Sequence, residues 1–427
     1  GLSGDLTEGG VIAISQAGIN ASATENNGKG KSMIINKRKN VLATFIGLLA
    51  AGVTVQTAAQ GDTNNQATVQ RALEEVIVTA EKREQNLQDV PVAISAFSAE
   101  MLEARGIVTP QDLQFSVPGL SITETERGGT AKVTIRGVGS ELVIPGGDPG
   151  VPMHINGHYT QSSAYMLRDM MDVDRVEVLR GPQGTLYGRN AIGGNINIIT
   201  KRPTEEFEAL VSGSIGNYNK RLIQAMVSGS ITEELRGRLV VSDDKRDGYV
   251  ENIGSAGDDR ETSDYTSVRG ALEYDLNEDI QLYLNAYHFD DQGNNFARYL
   301  GDYPTTPTFL GVTNFWVLRN APPNITKTDP FKIRADTPSE QSDESKGLSL
   351  DINWALGNME FRSLSAYDDT SKNSITDQDG SDVYRQDVQY DISTEVFTQE
   401  FQLLSKNDGA LQWVAGLFYY KEDSNLD

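Results

Sequence analysis

The chain of 427 residues contains no cysteine and only three histidines. The first absence excludes disulfides, thiol catalysis, Cys-ligated zinc and iron–sulfur centres. The second leaves little room for a His-based metal site. Basic residues are scarce: 37 Lys and Arg stand against 60 Asp and Glu, a formal net charge of −23. A phosphate-tracking nucleic-acid binder needs a basic face, so no nucleic-acid partner is expected. Repeated apolar runs of about 20 residues, the mark of a polytopic helical membrane protein, are missing too. That does not exclude a β-barrel, because half of each barrel strand is polar. Neither G-x-S-x-G nor H-E-x-x-H occurs, so no enzyme activity is expected.

One apolar run is sustained, from Val41 to Val55. It follows Lys37, Arg38 and Lys39 and ends at Thr57-Ala58-Ala59. A basic patch, a short apolar stretch and small residues at the end form a secretory signal-peptide pattern. At about 15 residues the run is short for a membrane span. The reading is therefore a signal peptide over 33–59 starting at Met33, with 1–32 as upstream read-through without a fold. Residues 60–80 read as a flexible new N-terminus.

Beyond residue 80 the chain splits in two. Residues 81–204 mix short strands, short helices and many glycines. Ser98 can cap a helix running to Arg105, with Gly106 at its end. A second short helix is predicted over Thr109 to Phe115, with Pro110 in its first turn. Strands are predicted at Val92–Phe97, Val133–Arg136, Met153–Ile155, Val173–Leu179 and Asn195–Thr200. From Phe207 onward the pattern becomes repeated alternation. Leu348, Leu350, Ile352 and Trp354, for example, oppose Ser349, Asp351 and Asn353. Likewise Val268, Leu272 and Tyr274 oppose Ser267, Arg269 and Glu273. About nine such strands can be traced, each with one apolar and one polar side. Their connectors alternate after the second strand. Those at 232–234, 277–279, 357–358 and 406–409 are short, whereas those near 244–263, 291–343 and 371–392 are long. Tight turns at one end and long loops at the other are the asymmetry of an outer-membrane barrel. The first hairpin, at Asn217–Lys220, departs from the rule by being short.

The segment Glu74–Pro203 resembles the plug domain of TonB-dependent outer-membrane receptors. The run that carries the likeness is Val173-Asp174-Arg175-Val176-Glu177-Val178-Leu179-Arg180-Gly181-Pro182-Gln183-Gly184-Thr185-Leu186-Tyr187-Gly188-Arg189-Asn190-Ala191-Ile192-Gly193-Gly194. Supporting stretches are Gln88-Asp89-Val90-Pro91-Val92-Ala93-Ile94, Pro118-Gly119-Leu120 and Thr134-Ile135-Arg136-Gly137. The resemblance implies an α+β plug domain followed by an antiparallel transmembrane β-barrel of about 22 strands, with the plug inside it. About nine of those strands are traced over 205–427, so an incomplete, truncated barrel is expected. The implied activity is import of a ferric siderophore or similar scarce solute, driven by TonB from the periplasm. Cobalamin, a glycan or another nutrient is the alternative cargo. A passive porin or adhesin is the alternative of a different class. Outer-membrane lipid is an implied partner, a monomer is expected, and no cofactor is implied beyond iron arriving within the ligand.

Residue by residue, Glu74, Glu75, Val76, Ile77, Val78, Thr79 and Ala80 match the position of the family's TonB-binding box. A mobile β-prone segment can pair with TonB as an added strand. The same residues also suit an ordinary first strand of the plug. Arg136 and Arg180 match plug arginines that pair with barrel glutamates in the family, and Glu400 is the matching carboxylate. By parity Glu400 and Gln402 share the interior while Phe401 and Leu403 face lipid. A solvated carboxylate in the lumen is the plainer reading of Glu400. The spacing of Gly188 and Gly193 matches a phosphate loop in form only, because Gly194 and Asn195 stand where Lys and Ser/Thr would have to be. Those glycines suit tight turns and close approach of plug to barrel. His154 and His158 would suit a metal only on a helix, and Asn156-Gly157 argues for a turn, so no metal is expected. Ligand contact is expected from Glu126, Arg127, Gly128, Ile144, Asp148 and Tyr159 of the plug. The aromatic loop 291–343 would add Phe296, Tyr299 and Trp316.

Overall fold

The computed structural model describes residues 77–124, 131–139, 147–160, 170–294, 308–309, 312–313, 331–377, 387–406 and 411–426. The expected leader region at 1–59 lies outside them, as do Glu74, Glu75, Val76, Glu126, Arg127, Gly128, Ile144, Phe296, Tyr299 and Trp316.

In the plug, Ile77–Val78 (β1) pairs antiparallel with Gln85–Asn86 (β2). Ile94–Ser98 (β3) runs into the helix Ala99–Ala104. Ser98 caps that helix, its Oγ accepting from the Met101 N–H at 3.4 Å. Gly106 follows at φ +64, where a residue without Cβ is least strained. The second expected helix is a 3-10 turn, Pro110–Phe115. The Asp112 carboxylate closes its start by accepting from the Thr109 N–H at 2.8 Å. Leu120–Glu124 (β4) and Ala131–Ile135 (β5) form a hairpin of which only the second strand is predicted from sequence. Met153–Ile155 (β6), His158–Thr160 (β7), Val173–Arg180 (β8) and Gly194–Thr200 (β9) complete a five-stranded mixed sheet in the order β3-β8-β9-β6-β7. The helix Gly184–Tyr187 joins β8 to β9. The apolar core of the plug gathers Phe97, Leu102, Leu113, Ile135, Val176, Val178 and Ile196 between sheet and helices.

Of the glycines after β8, Gly188 faces the barrel, a Cβ there lying 3.9 Å from the Phe418 ring, whereas Gly193 and Gly194 act inside the plug. A Cβ on Gly194 would lie 2.2 Å from the Leu179 carbonyl oxygen, and one on Gly193 2.8 Å from that of Val138. The close approach expected between plug and barrel is therefore, at these two positions, an approach of one plug segment to another.

Nine strands of the second region form one antiparallel meander in the order β10-β11-β12-β14-β15-β19-β20-β21-β22. They are Glu208–Gly216 (β10), Lys220–Ser230 (β11), Leu235–Arg246 (β12), Ser263–Asp275 (β14), Ile280–Asp291 (β15), Glu340–Leu356 (β19), Met359–Asp377 (β20), Asp387–Ser405 (β21) and Val414–Leu426 (β22). Short pairs occupy the loops. Glu251–Asn252 (β13) lies parallel to Lys332–Ile333 (β18), and Thr308–Phe309 (β16) pairs with Val312–Thr313 (β17). The sheet is open, with β10 and β22 at its two edges. No helix among the described residues is long and apolar enough to cross a membrane, which does not bear on crossing by strands.

Side-chain parity follows the sequence. In β14, Tyr265, Ser267, Arg269, Ala271 and Glu273 are buried toward the plug while Leu272 and Tyr274 are exposed. In β19, Asp351 is buried while Leu348 and Trp354 face outward. Phe361 and Phe401 stack on the outer face, their centroids 6.0 Å apart. Six residues further along β20, Tyr367 stands opposite Phe397. Outward apolar residues bounded by aromatics are the lipid-facing band of a membrane barrel. The strands outrun that band. β19, β20 and β21 have 17, 19 and 19 residues, against about 9–11 needed for a crossing. The excess lies at the long-loop end, where 371–377 and 387–392, expected as loop, are strand.

Candidate functional site

The candidate site lies where the start of the plug meets the short-turn end of the barrel strands. Val78 and Ala80 are wholly buried, in a cluster with Leu179, Tyr187 and Ala191. Ile77, whose side chain alternates to the other face, is exposed. Between them Thr79 is held by a buried carboxylate. Its N–H donates to Glu177 Oε1 at 2.9 Å, and its Oγ lies 3.0 and 3.1 Å from the two carboxylate oxygens. Arg175 Nε donates to the same Oε1 at 2.9 Å. The Tyr187 hydroxyl donates to the Thr79 carbonyl at 3.2 Å. Of the seven residues expected to bind TonB, the four that are described thus form the first strand of the plug and its continuation. The expectation of a flexible stretch reaching residue 80 does not hold for Val78–Ala80, because burying two apolar side chains and satisfying Thr79 ties the segment down.

Two residues on, Lys82 crosses to the barrel. Its Nζ lies 3.3 Å from Glu400 Oε2 and 4.9 Å from the Tyr187 ring centroid. Burial lowers the Lys82 pKa from its ordinary value, and Glu400 opposes that shift. Gln402 Nε2 donates to the other Glu400 oxygen at 2.6 Å. Glu400 therefore faces inward beside Gln402 as parity requires, but its cation is Lys82, not Arg136 or Arg180. Arg136 sits at φ +53 directly after β5. Arg180 ends β8, with its Nε buried and unbonded.

The tightest seam between plug and barrel lies elsewhere than the sequence suggested. Asp172, just before β8, accepts from Arg238 Nε at 2.7 Å and from Arg269 Nη2 at 3.0 Å. Its other oxygen takes Arg238 Nη2. The side chains of Asp172 and Arg238 are 5% and 3% exposed, so the pair is cut off from water. The polarity is the reverse of the expected one, with the carboxylate on the plug and the arginines on the barrel. The sequence held a signal for it: Arg238 and Arg269 occupy inward positions of neighbouring strands, and two lumen arginines require an acid. Arg202, leading out of the plug, adds Glu273 at 3.0 Å and the face of Tyr283 at 4.6 Å. Near these contacts a cavity of 1540 Å³ opens between plug and barrel wall. Thr79, Lys82, Arg83 and Gln85 line one side of it, and Asp351 and Arg362 the other.

Two of the expected ligand residues are described. Tyr159 is buried, packing edge-on to His154 and Tyr420 at 5.9 and 5.5 Å, and burial pushes its hydroxyl up to about 12. Asp148 is half-exposed and pairs with Arg189, while Asn190 Nδ2 donates to it at 3.1 Å. The Arg189 guanidinium lies 4.5 Å over the Tyr420 ring. His154 and His158 stand on the hairpin β6–β7, on either side of the Asn156-Gly157 turn. Burial pushes their imidazoles down to about 3 and about 4. His154 Nδ1 lies 2.6 Å from Asn195 Oδ1. At neutral pH both rings are therefore uncharged parts of the plug interior.

The fold and the seam define a plug-and-barrel protein, and comparison with known proteins says of which kind. Residues 86–195 match the family model of the TonB-dependent Receptor Plug Domain. Residues 86–195 thus form the plug domain of TonB-dependent receptors, and the relatives matched beyond it are outer-membrane receptors and transporters, not enzymes. It is 31% identical over 236 residues to the iron-regulated outer membrane virulence protein of Vibrio cholerae, covering 53% of this chain and 35% of that protein. It is 25% identical to the vitamin B12 transporter BtuB of Vibrio vulnificus, covering 61% of this chain and 41% of the other. Among solved structures, the ferric yersiniabactin uptake receptor FyuA of Yersinia pestis has the same fold, with a TM-score of 0.65 at 21% identity. That match covers 78% of this chain and 49% of FyuA. The chain thus spans from about a third to a half of the length of these proteins.

Proposed function

We propose that the protein serves the active import of a ferric siderophore or a similar scarce solute, driven by TonB acting on residues 74–80. The observation that carries this reading is the position of that segment. Its described part, residues 77–80, lies at the short-turn end beside a large cavity and is fastened to the plug by hydrogen bonds to Glu177 and from Tyr187. An added strand needs free backbone groups, and a segment fastened by a few polar contacts can supply them when released. Import then needs no covalent step. Solute binds on the long-loop side, the segment is captured from the other side, and the plug rearranges to let the solute pass. An iron cargo is favoured by the names of the Vibrio cholerae and Yersinia pestis relatives; the vitamin B12 transporter keeps cobalamin as the second reading.

The test is uptake in an iron-starved host carrying the full-length gene with Val76→Pro, which removes a strand N–H. Loss of uptake with normal surface expression is expected. Unimpaired uptake would sink the assignment of 74–80. Growth on iron chelates compared with cobalamin or sugars separates the cargo readings. A passive pore would keep its uptake when the proton gradient is collapsed.

A further inference from the structure

Glu177 is fully buried on strand β8 of the plug sheet, and its hydrogen bonds go to the plug. A buried carboxylate without partners would be costly, and three of the four contacts that satisfy it come from Thr79. The fourth is the Arg175 guanidinium, which also reaches Asp174 Oδ2 at 2.8 Å. Beyond Thr79, the same segment is secured by the Tyr187 hydroxyl, by two small apolar side chains, Val78 and Ala80, and by the two-residue pairing of β1 with β2. Such a set of contacts is strong enough to close and small enough to open. Charge-assisted hydrogen bonds are shorter and stronger than neutral ones, so the carboxylate dominates the polar part of the closure.

We propose that Glu177 is a positioning residue for energy coupling: a clasp that sets how often residues 77–80 leave the plug and become available as a strand. The proposal rests on the reading of 74–80 as the TonB-binding segment and adds the residue that regulates its exposure. Opening the clasp also removes Thr79 and the residues after it from one wall of the 1540 Å³ cavity. The same clasp thus governs both capture of the segment and the width of the space behind it.

The 427 residues hold no cysteine, so once any cysteine elsewhere in the full-length receptor is replaced by serine, one introduced thiol reports on one place. In the full-length receptor, Ala80→Cys is a buried reporter of opening, and Ala131→Cys, in the β4–β5 hairpin, reports general loosening of the plug. Maleimide labelling of the Ala80→Cys thiol should accelerate about 10- to 100-fold on adding Glu177→Gln. With Thr79→Val, which removes only the hydroxyl, the rise should be about 5-fold. Labelling of the Ala131→Cys thiol should stay within about 2-fold. Unchanged labelling of the Ala80→Cys thiol in both variants would overturn the clasp. So would equal acceleration at both reporters, which would make Glu177 a general support of the plug. Capture of the purified TonB periplasmic domain by the Glu177→Gln receptor, measured alongside, should rise with opening. Faster labelling without a gain in capture would uphold the clasp and refute the assignment of 74–80 to TonB.

Discussion

The plug sheet and the barrel sheet use the same two-residue alternation toward opposite solvents. In β5 of the plug, Ala131, Val133 and Ile135 are buried while Lys132 and Thr134 are half-buried. In β14 of the barrel the buried set includes Ser267, Arg269 and Glu273, while the exposed residues are Leu272 and Tyr274. One region is held by an apolar interior. The other turns its apolar side to lipid and its polar side to the plug, so the seam between them is governed by charge. Substitutions should therefore have opposite rules in the two regions, and their greatest effect where the regions meet.

The largest effect is expected at the seam. Asp172→Asn keeps a residue type that tolerates the φ of +61 at this position but removes the buried negative charge that Arg238 and Arg269 share; the longer Arg238–Glu208 contact at 3.6 Å stays. Removing one partner of a buried pair costs about 3–5 kcal/mol. Denaturant unfolding of the receptor in micelles should show a loss of that order. A change below about 1 kcal/mol would mean that water reaches the arginines, and the seam would rank as a surface contact.

The inversion itself is broken by placing one charge on each side of one strand. Leu350→Arg puts a cation in the lipid band at a cost of about 2–4 kcal/mol. Its neighbour Ser349 faces the lumen, and Ser349→Arg should cost much less. Folding into lipid vesicles, followed by heat-modifiable gel mobility, compares the two. Equal losses would contradict the assignment of faces.

Acid probes the plug through its two buried imidazoles. The two buried imidazoles have folded-state pKa values below the unfolded one, so the native plug binds fewer protons than the unfolded chain. Their contribution is fully present above about pH 6.5 and is lost as pH falls toward the folded values. At pH 5.5 each should cost the plug about 1.4 kcal/mol relative to neutral pH. The test is the unfolding midpoint at pH 7.5 and 5.5. His158→Gln should remove about half of the dependence; an unchanged slope would place the imidazoles in contact with water.

The barrel strands were legible because period 2 is a local property, and Leu348 to Trp354 display it without any knowledge of neighbours. Their upper ends were not, since residues such as Asn373 and Ser374 continue the ladder after the apolar signal has stopped. In the plug, the cap at Ser98 and the strand at Val173 could be read locally. The β4–β5 hairpin, whose strands flank the Gly-containing stretch 125–130, was only half read, and β7, His158-Tyr159-Thr160, was missed because it carries no aliphatic residue to mark a strand. The candidate site was legible in position but not in pairing. Sequence placed 74–80 and the inward side chain of Glu400. It could not say that Lys82 reaches Glu400 across 318 positions, or that Asp172 meets Arg238 and Arg269. Pairings at such separation are set by how the plug sits in the barrel, and no local pattern encodes that.

The smallest effect, and the finest test of the comparison, concerns that Lys82–Glu400 pair. Its side chains are 7% and 18% exposed, so it is less sealed than the Asp172 seam, and each member keeps a second contact, Tyr187 for the lysine and Gln402 for the glutamate. A double-mutant cycle with Lys82→Met and Glu400→Gln isolates the coupling from these other contacts. A coupling of about 1 kcal/mol is expected, read from denaturant unfolding, against the several kcal/mol lost at Asp172. The order matters for function. Under a pull applied at residues 74–80, the weaker tie lies next to the point of force and the stronger one lies beyond it, so the start of the plug can detach while β8 stays seated. A coupling at Lys82–Glu400 as large as the loss at Asp172 would reverse that order and require the plug to leave its wall as one body.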